Sequence, residues 1–170
     1  MQFQSLDDVL MEQLADLHSA EKQLVEALPQ VAGSASAPEL RTAFEEHLEQ
    51  TRGHVRRLEE AFSSLGQSVP DDFCQGMEGL LKEGEQVVAA KGDPAAKDAA
   101  LIAAAQRVEH YEIAGYGTAR TLAGQLGHGD VERLMNETLD EEAATDEKLT
   151  KIATGGFFAS GVNEAAAQRR

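Results

Sequence analysis

The chain has 170 residues, enough for one domain with a sizeable core; 42% are hydrophobic, 5% aromatic and none is Trp. A formal net charge of −15 and a pI near 4.6 argue against nucleic-acid binding and against adhesion to an anionic membrane, both of which need clustered Lys and Arg. Cys74 is the single cysteine, which excludes an intrachain disulfide and a multi-thiolate metal site.

Ala, Leu, Glu and Gln dominate and no stretch alternates with period two, so an all-α fold is expected. No apolar run reaches the ~18 residues of a membrane span. Residues Met1 to Asp8 lack the basic start and apolar stretch of a signal peptide, so a cytoplasmic location is expected.

The first helix is expected from Leu6 to Val31, with Ser5 as N-cap ahead of Asp7 and Asp8. Its seam reads Leu10, Leu14, Leu17, Glu21, Leu24, Leu28, Val31, at alternating spacings of four and three. After a turn at Gly33–Pro38, a second helix runs from Pro38 to Gly66. Its seam is Leu40, Phe44, His47, Thr51, Val55, Leu58, Phe62 and Leu65, with His54 beside Val55. A linker containing Pro70 leads to a short helix from about Asp72 to Ala90. Gly92-Asp93-Pro94 then opens a long helix to Leu126, with seam Leu101, Ala105, Val108, Glu112, Gly115, Ala119, Leu122 and Leu126. Gly127-His128-Gly129 is the next turn. The last long helix, Asp130 to Ile152, carries Val131, Met135 (or Leu134), Thr138, Glu142, Thr145, Leu149 and Ile152. The pattern lapses from Thr154 to Arg170, where Gly155, Gly156 and Gly161 suggest a loosely ordered tail after a bundle domain of residues 1–153.

Two helix pairs joined by short turns, with a long connection between the pairs that carries its own short helix, make a ferritin-like four-helix bundle. The halves also match in register. Glu21 and Glu112 are 91 residues apart, as are Thr51 and Glu142, an offset of thirteen whole heptads.

Glu21, Glu112 and Glu142 each interrupt a leucine pattern near the middle of a helix, and the midpoint of the second helix lies between His47 and His54. Antiparallel helices of similar length bring their midpoints to one level, so these groups should converge. Buried ionised carboxylates need a partner. Arg52, Arg56, Arg107 and Arg120 fall off the seams, which leaves a metal, and carboxylates with imidazole suit iron, manganese or zinc. Glu109 shares a face with Glu112, Glu141 adjoins Glu142, and Gln50 lies between the two histidines. Seam position alone leaves open whether His47 or His54 is the ligand. The Glu-x-x-His pairs of the di-iron template are absent; the corresponding pairs are Thr51-x-x-His54 and Glu142-x-x-Thr145. His18, His110 and His128 read as surface or supporting groups, the Tyr111 and Tyr116 hydroxyls as bundle packing in preference to a site-edge hydrogen bond, and Cys74 as a small buried residue.

Several words of the sequence resemble the YciE/YciF family of bacterial stress proteins. They are Ser19-Ala-Glu-Lys-Gln-Leu24, Glu46-His-Leu-Glu49, Cys74-x-x-Met-Glu-Gly-Leu80, Asp98-Ala-Ala-Leu-Ile-Ala-Ala-Ala105, Val108-Glu-His-Tyr-Glu-Ile113 and Thr138-Leu-Asp-Glu-Glu-x-Ala-Thr-Asp146. The resemblance covers about Leu6 to Ile152 and implies a dimeric ferritin-like bundle with a di-metal centre, iron first among candidates. It places Glu21, Glu109, Glu112 and Glu142 at the metal, with His47 and position 50. Position 50 is Gln here where other members carry Glu; an amide oxygen can ligate but brings no charge.

The function expected is a di-iron or di-manganese stress protein handling oxygen or peroxide. The alternative is a non-catalytic scaffold with a structural metal or none. Iron storage would need a closed shell of many subunits, which nothing in the sequence specifies. DNA binding is disfavoured by the charge, although Arg169-Arg170 ends the chain on a basic note.

Overall fold

The computed structural model describes residues 3–156 and 159–168. Arg169 and Arg170 lie outside the described residues. Helix α1 spans Leu6–Ser34, α2 Pro38–Ser64, α3 Gln75–Ala89, α4 Pro94–Leu126 and α5 Gly129–Thr154. No helix among the described residues is long and apolar enough to cross a membrane.

Helix α1 packs along α2 and α4 along α5, and the two hairpins meet through α2 on α5 and α1 on α4. Helix α3, carried by the long crossover, lies against α1 and α4. The all-α bundle with a long crossover is therefore the fold, as the heptad seams require.

The caps follow from local chemistry. Ser5 accepts from the Asp8 amide while Asp8 accepts from the Ser5 amide, a capping box that starts α1. Asp93 caps α4, with Pro94 in the first turn. Gly127, at φ 79°, closes α4 in the left-handed conformation open to glycine. Helix α2 has no capping side chain of its own. The buried carboxylate of Asp98, from α4, accepts from the amides of Ser36 (2.8 Å) and Ala37 (2.7 Å) instead.

Helix α1 continues three residues beyond the expected Val31, with Pro29 on its exposed side. Helix α3 begins at Gln75 rather than Asp72, because Cys74 is its cap and its Sγ accepts from the Met77 amide. Cys74 is fully buried, and its backbone is held by α1: its amide donates to Ser19 Oγ and its carbonyl accepts from Gln23 Nε2. Beyond Thr154, where the heptads lapse, Gly155–Gly156 pairs antiparallel with Ala159–Ser160 (β1 and β2). Helix α6 follows at Val162–Ala167 and packs on α4 and α5.

The core is not continuous. One apolar cluster holds Leu24, Leu28, Phe44, Leu101 and Leu149, and the other holds Leu10, Leu14, Leu58, Phe62 and Met135. The level between them is occupied by buried polar residues from all four long helices. Gly115 makes room there for α1 and α4 to approach, since a Cβ at that position would stand 2.8 Å from Leu17 Cδ2.

Candidate metal centre

Each long helix delivers polar side chains to the level between the two apolar clusters. Helix α1 contributes Glu21, α2 His47 and His54, α4 Glu109 and Glu112, and α5 Glu142; all six are buried, none more than 3% exposed. Their ligand atoms fall into two groups, each with all members within 4.8 Å of one another. One group is His47, Glu109, Glu112 and Glu142; the other is Glu21, His54 and Glu142. Glu142 belongs to both, so it stands where a bridging carboxylate would.

The atoms in this layer are short of partners. Both oxygens of Glu112 and of Glu142, Oε2 of Glu21 and of Glu109, Nε2 of His47 and Nδ1 of His54 are buried without a hydrogen bond. Nδ1 of His54 lies 2.9 Å from Glu142 and 3.2 Å from Glu21, and Nε2 of His47 lies 3.4 Å from Glu109. None of these contacts has hydrogen-bond geometry. Orphaned buried polar atoms cost free energy, and here they converge, which is the pattern of ligand atoms facing a shared ion. Four carboxylates and two neutral imidazoles would balance the charge of two divalent cations.

The opposite faces of both imidazoles are held. Nε2 of His54 meets Oε2 of Glu141 at 2.8 Å, and Arg57 clamps Glu141 through two hydrogen bonds of 2.7 and 2.8 Å. Nδ1 of His47 faces Thr145 Oγ1 at 3.4 Å. Metal-binding histidines are characteristically oriented in this way through the nitrogen that does not ligate.

Electrostatics tell the same story. Burial, reinforced by neighbouring carboxylates, pushes Glu109 and Glu112 well above the ordinary Glu range. Burial also raises Glu21, against the pull of His54 and Tyr116. Burial alone would raise Glu142, but His54 and His47 bring it below its usual value. Burial alone would lower His54, but Glu142 and Glu21 push it up to about 10. His47 is lowered by burial.

Residues 5–167 match the family described as a domain of unknown function, DUF892. The chain belongs to the DUF892 family. It is 43% identical over 166 residues to protein YciF of Escherichia coli (strain K12), covering 97% of this chain and 100% of the relative. The crystal structure of the E. coli stress protein YciF superposes with a TM-score of 0.85 at 45% identity, over 88% of this chain and 94% of that one. YcfI of Rhodopseudomonas palustris matches equally in shape, TM-score 0.85, at 39% identity over 88% and 96% of the two chains. The YciE/YciF resemblance of the sequence words is thus a family relationship.

In this DUF892 protein the structure brings together Glu21, His47, Glu109, Glu112 and Glu142 from the sequence-derived set. His54 joins them, so both candidate histidines lie in the cluster. Gln50 is half-buried on α2, three residues beyond His47. Thr51 is fully buried but directs its hydroxyl to the His47 carbonyl. His18 approaches Glu59 (3.8 Å), while His110 and His128 have 68% and 34% exposed side chains.

One expectation is corrected. Tyr116 is more than packing: its hydroxyl donates to Glu21 Oε1 at 2.5 Å and its ring stands edge-on to His54. Tyr111 likewise donates to Asp16 Oδ2 at 2.6 Å and touches Cys74 Sγ at 3.1 Å. The cations keep to the edge of the layer. Arg57, 22% exposed, sits one turn beyond His54 and reaches the edge of the layer. It pairs with Glu141 and Glu137, however, and no Lys or Arg ion pair among the described residues reaches the four buried carboxylates.

Proposed function

We propose that this DUF892 protein is a two-metal carboxylate protein of the bacterial stress response, with iron as the resident metal and manganese as its nearest substitute. The observation that carries the reading is the convergence of unpartnered ligand atoms from four helices with Glu142 common to both groups. Their all-oxygen-and-imidazole chemistry suits iron and manganese. When bound, a pair of redox-active metals would supply the Lewis acidity and electrons for oxygen or peroxide chemistry. The chain's own part is to hold the site: His47, Glu109 and Glu112 would take one ion, Glu21 and His54 the other, and Glu142 both. Thr145 and Glu141 orient the imidazoles, and the two apolar clusters keep water out.

The stress role is supported by the similarity to E. coli YciF, described as a stress protein. We place the protein in the cytoplasm as a homodimer without nucleic-acid or membrane partners, on the family resemblance and the charge of −15.

Metal analysis after anaerobic reconstitution tests the reading. The expected content is about two iron or manganese ions per chain, falling to near zero in a Glu21→Ala, Glu112→Ala double variant. Wild-type content well below one ion per chain would refute it.

A further inference from the structure

An apolar cavity opens between α1, α2, α3 and α4, on the side of the metal layer occupied by Leu24 and Leu28. Its volume is about 50 Å³. The walls are Leu28 from α1, Phe44 from α2, Leu80 and Leu81 from α3, and Leu101 and Ala105 from α4. Among the described residues, the ionisable side chains on its surface are His47 and Glu109, both members of one ligand group and both with an unpartnered atom.

The void is written into the sequence. The Ala-rich run of α4 puts Ala104 and Ala105 on the wall, and Ala105 holds a seam position where bundle cores ordinarily carry a larger side chain. Gly84 of α3 faces it from above, and a Cβ there would meet nothing within 4 Å. Protein interiors leave few voids larger than a water molecule. This one is too apolar to hold water well, since water needs two to four polar partners. A charged or strongly hydrated ligand would be stripped of its hydration without replacement.

We infer that this cavity is a binding and access site for a small, uncharged, apolar molecule of diatomic-gas size, admitted beneath α3 and delivered to the His47 and Glu109 side of the metal layer. The inference rests on the proposed metal function and specifies the class of molecule that reaches that site. A longer aliphatic chain shares the same apolar chemistry but needs more room than 50 Å³.

Xenon, an apolar probe of suitable size, tests the site directly. Crystals of the full chain pressurised with xenon are expected to show one anomalous peak against Leu28, Leu81 and Ala105. Ala105→Leu, which fills the void from α4, and Gly84→Leu, which fills it from α3, should each lose that peak while binding as much metal as the wild type. In ferrous-loaded protein, nitric oxide should bind more slowly in both variants. Soaking with n-hexane separates the two apolar sources: hexane density in place of xenon would overturn the diatomic size limit. Metal uptake without a xenon peak, or unchanged nitric oxide binding in both variants, would overturn the inference. A xenon peak in a protein that takes up no metal would refute the metal reading and the delivery role with it, leaving an apolar site alone.

Discussion

His54 holds its Nδ1 2.9 Å from Oε1 of Glu142 without making a hydrogen bond to it. The other nitrogen of the ring meets Oε2 of Glu141 at 2.8 Å, so neighbouring glutamates of α5 flank one imidazole on opposite sides. A proton on Nε2, shared with Glu141, leaves the Nδ1 lone pair aimed at the carboxylates of Glu142 and Glu21. Lone pairs so placed need a cation among them, or a second proton on the ring. Metal and proton therefore compete for the same place.

Glu141 is the group that sets this orientation, although it is one-third exposed and outside both ligand groups. Glu141→Gln keeps the shape but removes the charge that fixes the His54 tautomer and holds Arg57. Loss of such a supporting carboxylate characteristically weakens metal affinity about 10–100-fold. Competition against a coloured chelator should show this loss for one ion per chain, with the ion held by His47 and Glu109 little affected.

The pH dependence of the chelated protein follows from the directions of the shifts. Glu21, Glu109 and Glu112 titrate above their usual value in the fold, and His54 is raised to about 10. A raised group contributes stability that is complete below its unfolded pKa and is lost as pH rises through the folded one. Between pH 7 and 9, Glu142, lowered, contributes no slope, and His47, also lowered, contributes only a small rise near pH 7 as the unfolded imidazole loses its remaining charge. Calorimetry in EDTA should therefore give a falling Tm from pH 7 to 9. With iron or manganese present the trend should reverse or flatten, because ligands must shed protons to bind. A Tm that rises with pH in EDTA would contradict the assignment.

The four long helices were legible because their seams are long and regular, and the glutamates were legible because each breaks such a seam. His54 was visible too, under a stricter rule. The steps Phe44, His47, Thr51 run three then four, so strict alternation calls for position 54 next. Preferring the apolar Val55 broke the alternation; in the fold Val55 is half-buried and His54 fully buried. Glu141 is visible beside Glu142, but its pairing with Arg57 is not, because both lie off the seams and meet only across the α2–α5 contact. The Asp98 cap joins residues about sixty positions apart, and nothing local in the sequence signals it. Gln50 is half-buried on α2, and its place at the metal rests on the family resemblance.

Glu112 illustrates how the site trades stability for binding. Both its oxygens are buried without partners, so in EDTA the side chain is a cost. Glu112→Met, of similar length and apolar, should stabilise the chelated protein by about 1–3 kcal/mol, the usual cost of burying a polar group without a hydrogen bond. In saturating metal the order should invert, with the wild type the more stable. Urea denaturation under both conditions measures the crossing.

Asp98 gives the contrasting case of a buried acid that serves the fold. Asp98→Ala strips the α2 N-terminus of both its carboxylate bonds and should cost about 1–2 kcal/mol. The cost should be the same in EDTA and in metal, because Asp98 belongs to neither ligand group. A metal-dependent difference in urea denaturation would show that the cap is coupled to the site.

Tyr116→Phe separates the hydroxyl from the ring. The ring is fully buried in the apolar cluster with Leu14 and Leu17, and Phe preserves that packing. The hydroxyl is the hydrogen-bond donor to Glu21 Oε1, and Glu21 Oε2 has no partner at all. In EDTA its loss should cost about 1 kcal/mol, the net worth of a typical hydrogen bond. With metal bound, Glu21 can turn its orphaned oxygen to the ion, so the cost should shrink. Affinity should change chiefly for the ion that Glu21 shares with His54. Equal destabilisation with and without metal, together with unchanged affinity, would mean that the Tyr116 hydroxyl bond serves the fold alone.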